Sequence, residues 1–372
     1  MNLSDRTPGA AQTRSKQHQV FGGAPFPQTL ASADGANTWA DYDHKFIDWM
    51  AALASVGLGH RNPTVELAVH DQMQFGTALS LPTYLEYEVA DLLCSVLKWP
   101  QQVRWVKTGS EATAAAMMIA RRATGRKKII SIGYHGWHEA HLPSENLVDV
   151  PWGTRFGDCG ELDCRTAAVI VEPMRDHERT PYGVPVKEYL KGVQYQCQAS
   201  GALFIIDEMV TGFRWALGGA SEYFGIVPDL ATYGKAMANG YPLTAIVGLR
   251  KLMVHAKDVS STFGGEGVGL AAAKATIEVY QREPVIERLW EVGRKLQEGV
   301  PQLQGWPVHP HFTGANGWTD SDSVIPLTQY AAKHGVLMHP SGMNPMYAHS
   351  DEDVQRTIEV LSAALQASNG DV

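Results

Sequence analysis

The sequence predicts an α/β fold in which a large, mostly parallel sheet carries helices on both faces, with a smaller α+β domain formed by the N- and C-terminal segments. Three observations support this. Compact apolar runs occur at Lys128-Ile129-Ile130-Ser131-Ile132, Ala167-Ala168-Val169-Ile170-Val171 and Leu203-Phe204-Ile205-Ile206, the pattern of strands buried on both faces. Segments with apolar residues at helical spacing alternate with these runs, as βαβ units require. The chain has 372 residues and 44% hydrophobic content, more than one ordinary domain needs and enough for a substantial core.

The elements follow in order. Residues 1–20 are polar and are expected to form a mobile arm or a segment ordered only by a partner. Phe21-Gly22-Gly23-Ala24-Pro25-Phe26-Pro27 is an irregular loop, because glycine and proline interrupt regular structure. Between Thr38 and Met50, apolar and polar residues alternate around an acidic turn, which predicts a hairpin. This N-terminal arm and small-domain segment spans 1–55, and the large α/β domain spans 56–268. Within the latter, helices are expected from Pro63 to Phe75, Tyr84 to Leu97, Ser110 to about Ala123 and Val186 to Ala199, with further strands at Val103–Val106 and Ala245–Gly248. Gly269 to Glu298 reads as one long or broken helix, interrupted at Pro284. It opens the third segment, 269–372, a linking helix followed by the remaining α+β part.

Composition narrows the function. Basic and acidic residues number 31 and 39, a formal charge of −8, and they are interspersed, so there is no electrostatic footprint for nucleic acid. Small-molecule chemistry is the expectation. Cys94, Cys159, Cys164 and Cys197 are too scattered for a disulfide framework, and Cys159 and Cys164 lack zinc-site spacing. His135, His138 and His141 have few acidic partners and no i, i+4 ligand spacing, so no metal is expected. With no secretory pattern at the start and no apolar run near the roughly 20 residues of a membrane span, a cytoplasmic protein is expected, without membrane association.

Two residues carry most of the chemical argument. Asp207 ends the run Leu203–Ile206, and in open α/β sheets ligands gather outside the carboxyl ends of strands. A strand-end acid also begins many ordinary solvated loops, but Lys235 follows in Tyr233-Gly234-Lys235-Ala236-Met237. A pyridoxal phosphate enzyme needs such a pair: an amine able to form a Schiff base with the aldehyde, and a carboxylate that keeps the pyridine nitrogen protonated. Thr108-Gly109-Ser110-Glu111-Ala112 lies between a strand and a helix, where backbone N–H groups and the Ser110 hydroxyl can meet a phosphate. The same residues also suit an ordinary helix cap.

Asp207-Glu208-Met209-Val210-Thr211-Gly212-Phe213-Arg214, then Pro228-Asp229-Leu230, then Gly234-Lys235-Ala236-Met237-Ala238-Asn239-Gly240 resemble the signature of class III pyridoxal-phosphate aminotransferases. That resemblance implies fold type I of the pyridoxal phosphate enzymes and pyridoxal 5'-phosphate as cofactor. Lys235 would form the Schiff base and shuttle the proton, and Asp207 would pair with the pyridinium nitrogen. Gly109, Ser110 and Glu111 would form the phosphate loop. In Tyr134-His135-Gly136-Trp137-His138, Tyr134 would stack on the ring with His135 beside it, and Met209 would cover the opposite face. Glu172, before Pro173, would border the cofactor in a supporting role. Thr262, in Ser260-Ser261-Thr262-Phe263-Gly264-Gly265, matches a threonine that binds the phosphate of the neighbouring subunit, which implies a homodimer with shared active sites.

Near the C-terminus, Gly335-Val336-Leu337-Met338-His339-Pro340-Ser341-Gly342 is similar to the glutamate-1-semialdehyde aminomutase branch. Two departures set the chain apart: Gln28 stands near the position of that branch's substrate-gripping arginine, and Asn344 replaces its usual glutamate. Neutral glutamine does not substitute for a bidentate guanidinium. The expected activity is therefore transfer between an amine or amino acid donor and a keto acid or aldehyde acceptor. The alternatives are an intramolecular aminomutase and a cofactor-binding protein without turnover. The candidates for gripping a substrate carboxylate are Arg14, Arg61, Arg155, Arg175, Arg179 and Arg214, or none of them.

Overall fold

The computed structural model describes residues 6–41, 43–154, 162–173, 177–313 and 321–369. Tyr42, in the acidic turn of the expected hairpin, lies outside them. The chain separates into two compact units, one made of Met1–Asn62 with Glu287–Val372 and the other of Pro63–Ile286.

In the first unit, the expected N-terminal arm is drawn into short 3-10 turns at Pro8–Ala10, Arg14–Lys16 and His18–Phe21. Their anchor is Phe21, which stacks on Phe26 at 4.0 Å and is buried with Phe46 and Leu337. Strands β1 (Ser32–Asp34), β2 (Asn37–Trp39) and β3 (Lys45–Asp48) then form an antiparallel meander, so the hairpin is present.

The second unit is built on a sheet of β4 (Gln102–Val106), β5 (Lys128–Ile132), β6 (Leu147–Asp149), β7 (Thr166–Val171), β8 (Leu203–Asp207), β9 (Leu230–Tyr233) and β10 (Thr244–Gly248). Among the described residues its order is β4-β10-β9-β8-β7-β5-β6. Neighbours from β6 to β9 are parallel, whereas β10 runs antiparallel to both β9 and β4. The cause is the short link 234–243, which holds only the 3-10 turn Lys235–Ala238 and is too short for a parallel crossover. The Gly109–Thr124 helix buries Ala112, Ala116, Ile119 and Ala120 against Ile129, Ile170, Ile205 and Ile246. Its small alanines let the helix lie close to the strands.

The helical stretch expected from Gly269 to Glu298 is two helices, Gly267–Arg282 and Val285–Gly299, broken at Pro284. The rest of the chain returns to the first unit. There β11 (Leu303–Gln304) pairs with β12 (His311–Phe312), and β13 (Val336–Leu337) adds to β3 in parallel, with Val336 opposite Ile47. Trp49 centres this core, stacking on His349 at 3.8 Å and donating from Nε1 to Thr357 Oγ1 at 2.9 Å. His349 Nδ1 accepts from the Met346 amide at 2.8 Å, and burial pushes the pKa of the ring down to about 4.

Candidate active site

Asp207 closes β8 at the carboxyl edge of the parallel strands and is 2% exposed. Three donors reach its carboxylate. Thr232 Oγ1, opposite it on β9, donates to Oδ1 at 2.9 Å, and the Met209 amide donates to the same oxygen at 3.1 Å. His135 Nδ1 lies 2.8 Å from Oδ2, while His135 Nε2 lies 3.1 Å from the Ile132 carbonyl. Both ring nitrogens thus face acceptors, an arrangement satisfied when both carry protons. Burial opposes that charge, but the hydrogen bond and charge of Asp207, with Glu172 adding to them, raise the pKa of His135 above the ordinary histidine value. His135 and Asp207 form a buried ion pair whose remaining polar atoms are bonded.

The adjacent acid has a different task. Glu208 accepts from the amides of Ala220 and Ser221 at 2.9 and 2.7 Å and from the Thr211 hydroxyl. These bonds fold the segment after β8 back on itself. Burial raises the Glu208 pKa against the pull of those donors.

Thr108 caps the Gly109–Thr124 helix. Its Oγ1 accepts from the Glu111 amide at 3.3 Å, and Glu111 Oε2 accepts from the amides of Thr108 and Lys107 at 2.8 and 3.0 Å, a complete capping box. The Glu111 carboxylate is therefore committed to shaping the turn in which the phosphate loop is expected. Gly109 and Ser110 form the first turn, where helix amides lack partners within the helix. Ser110 Oγ accepts from the Trp137 amide at 3.3 Å, which leaves its own proton to donate. A Cβ on Gly136, at φ 129°, would collide with Ser110 Oγ.

Tyr134, 69% exposed, sits on the loop that carries His135. Glu172 Oε2 accepts from the Tyr134 amide at 3.1 Å, and a Cβ on Gly133, at φ 99°, would stand 2.8 Å from Glu172 Cβ. Glu172 thus holds this loop in place. Lys235 opens the turn after β9 with φ 47°, a region unfavourable for side-chain-bearing residues and often found at functional sites. Ahead of it, a Cβ on Gly234 would lie 2.8 Å from Met209 Sδ and 2.6 Å from Thr244 Cγ2, while one on Gly109 would lie 3.2 Å from the same sulfur. Thr244 Oγ1 donates to the Thr108 carbonyl at 3.1 Å. The Met209 sulfur therefore lies against both the first helical turn and the residue before Lys235.

Other expected residues fall elsewhere. Thr262 is exposed and lines a cleft of about 520 Å³ with Leu79, Leu81, Glu86, Tyr87 and Trp105; neither Asp207 nor Lys235 is among its lining residues. The loop after Thr262 is tied to the end of β4 by Lys107 Nζ and Glu266 Oε1, 2.6 Å apart. In the first unit, Gln28 lines a cavity of about 460 Å³ with Phe21, Phe26 and Met50. Asn344 is buried there, with Oδ1 3.0 Å from His309 Nδ1 and Nδ2 donating to the Met50 carbonyl at 3.2 Å. Of the arginines, Arg14 lies in a 3-10 turn, Arg61 is 3.9 Å from Asp34, and Arg179 donates to the Gly183 carbonyl at 2.8 Å. Arg214 is fully buried, and burial pushes its pKa down to about 10. Arg155, Arg175 and Cys159 lie outside the described residues; Cys94, Cys164 and Cys197 are free thiols. Among the described residues no cluster of three or more His, Cys, Asp or Glu side chains could hold a metal ion, and no helix is long and apolar enough to cross a membrane. Thr232 and Thr244 were not foreseen, because their partners are set by strand register and loop packing.

These residues fit pyridoxal phosphate: a buried Asp207 with three donors on its carboxyl group, a helix start with an available hydroxyl proton, a glycine that no side chain could replace, and an exposed aromatic ring beside them. They define a cofactor-dependent α/β enzyme of the aminotransferase kind. The family model for class III aminotransferases matches residues 22–144 and 160–365. Glutamate-1-semialdehyde 2,1-aminomutase of Methanothrix thermoacetophila is 33% identical over 308 residues, 75% of this chain and 71% of that protein. 3-Aminobutyryl-CoA aminotransferase of Cloacimonas acidaminovorans is 30% identical over 352 residues, 87% of this chain and 85% of that one. The solved structure of the FumI protein of Sphingopyxis sp. MTA144, with PLP, superposes with a TM-score of 0.90 at 27% identity, covering 99% of this chain and 95% of that one. The chain belongs to the class III aminotransferases, and its cofactor is pyridoxal phosphate.

Proposed function

We propose that this enzyme moves an amino group between separate molecules, from an amine or amino acid donor to a keto acid or aldehyde acceptor. Pyridoxal phosphate, when bound, supplies an aldehyde that condenses with amines and a ring that accepts electrons from the substrate carbon. In this reading Lys235 Nζ holds the cofactor between turnovers and then carries the proton to and from the substrate carbon. Asp207 is assigned to the pyridine nitrogen, held in place by His135, Thr232 and the Met209 amide. Gly109 and Ser110 are assigned to the phosphate, with Glu111 shaping their turn. Tyr134 and Met209 are assigned to the two faces of the ring, and Glu172 to holding Tyr134.

The observation that carries the reading is the Met209 contact, which brings the strand-end acid, the first helical turn and the Lys235 segment to one place. Exposed Leu79, Leu81 and Tyr87, sharing a cleft with Thr262, support a homodimer in which Thr262 serves the partner's site. The free thiols are in keeping with a cytoplasmic, reducing setting.

Identity to aminomutases favours intramolecular transfer as the second reading. Against it, Gln28 is neutral, and Asn344 is occupied by His309 and the Met50 carbonyl. A 15N-labelled amine offered with a panel of keto acids and aldehydes separates the two: label in a second molecule supports transfer, and label kept on the starting skeleton supports the mutase. Borohydride reduction followed by peptide mapping should place the cofactor on Lys235, and Lys235→Ala should abolish both adduct and turnover. Turnover retained by that variant would remove Lys235 from the mechanism.

A further inference from the structure

We propose that His141, acting through Thr113, is a positioning residue for the phosphate end of the cofactor site, a role that rests on the assignment of Gly109 and Ser110 to the phosphate. Thr113 lies one turn into the Gly109–Thr124 helix and is fully buried. Its Oγ1 stands 2.6 Å from the His135 carbonyl, 2.9 Å from the Gly109 carbonyl and 3.3 Å from the Ser110 carbonyl. A hydroxyl has one proton to give, and the shortest of these contacts takes it across to the Tyr134 loop. The oxygen's lone pairs remain, and His141 Nε2 lies 2.9 Å away.

His141 Nδ1 is farther from its acceptor, 3.3 Å from the His138 carbonyl. The titratable groups facing the ring are His135, His138 and Asp207, and burial lowers its pKa. A neutral ring has one N–H, and Thr113 offers it the closer oxygen. The order is therefore His141 to Thr113 to the His135 carbonyl, a clip between the 3-10 turn Glu139–His141, the helix start and the Tyr134 loop. A second fastening lies beside it, where the Trp137 amide donates to Ser110 Oγ and Gly136 packs against that side chain. If the clip opens, the Trp137 amide drifts, and the Ser110 hydroxyl loses the bond that directs its proton outward.

The test uses the full-length chain and His141→Ala, His141→Gln and Thr113→Val. With cofactor removed, amide exchange across 134–138 should quicken by about tenfold in His141→Ala and in Thr113→Val. It should stay near the parent rate in His141→Gln, whose side-chain amide can donate to the same oxygen. His141→Ala should then weaken pyridoxal 5'-phosphate by about tenfold while leaving pyridoxal, which lacks the phosphate, within about twofold. Unchanged exchange in His141→Ala overturns the clip, and equal losses for the two ligands overturn its service to the phosphate. A parent chain that fails to take up pyridoxal 5'-phosphate at Lys235 overturns the underlying assignment instead, with the exchange rates still reporting on the clip.

Discussion

His135 and Asp207 show how much one carboxylate depends on its donors. With both ring nitrogens of His135 facing acceptors, its two 15N resonances are expected to leave the doubly protonated range at a higher pH than the ordinary histidine midpoint of about 6.5, and a midpoint at or below that value would refute the buried ion pair. Asp207→Ala should leave that cation uncompensated and lower the unfolding free energy by about 3–5 kcal/mol, read as a lower urea midpoint. An unchanged midpoint would mean that the pair contributes nothing to folding. Asp207 and Lys235 were legible in the sequence because each sits in a local pattern: an acid closing an apolar run, and a lysine after a glycine following the next strand. Thr232 was not, since its bond to Asp207 exists only because β8 and β9 pair in a register that puts the two opposite. Glu111 was legible in two ways, as part of a phosphate loop and as a helix cap, and the structure shows the cap.

At the scale of elements, the apolar runs and helical spacings located the main strands and helices because burial on both faces leaves a continuous apolar signature. The reversal of β10 escaped that reading, since periodicity carries no direction; the short link 234–243 sets it. The same link explains why Lys235 lies at the carboxyl end of β9. The capping box is the other local device, holding the Gly109–Ser110 turn open with Thr108 and Glu111. Thr108→Ala should cost about 1 kcal/mol of stability and weaken cofactor retention, while Thr108→Ser should keep both. Thermal unfolding with and without pyridoxal phosphate checks this, and equal behaviour of the two variants would show the cap to be idle.

The whole molecule has a pH response of its own. The folded pKa of His349 is pushed down to about 4, against about 6.5 for an unfolded histidine. Above pH 6.5 the ring is neutral in both states and costs nothing. As pH falls from about 6.5 to 4 the unfolded chain binds a proton that the folded chain refuses, so stability is lost through that window, by roughly 3 kcal/mol in all. Urea midpoints at pH 7.5 and 4.5 should differ more in the parent than in His349→Gln, and identical differences would acquit the histidine. Assembly is also a property of the whole. If Thr262 serves a partner's site as proposed, Leu81→Arg, placing a charge in the cleft that Thr262 shares, should yield monomers with lower cofactor affinity in sedimentation and dialysis measurements. A stable dimer with normal affinity would place the interface elsewhere.

The Met209 sulfur lies close enough to Gly109 and Gly234 that a Cβ on either glycine would crowd it. Oxidation to the sulfoxide would insert a polar oxygen into that seam and push the helix start away from the Lys235 turn. Because Met209 is only 8% exposed, an oxidant reaches it mainly when the seam has already opened. Its rate of oxidation therefore clocks how often the empty site comes apart, and a bound cofactor should slow that clock.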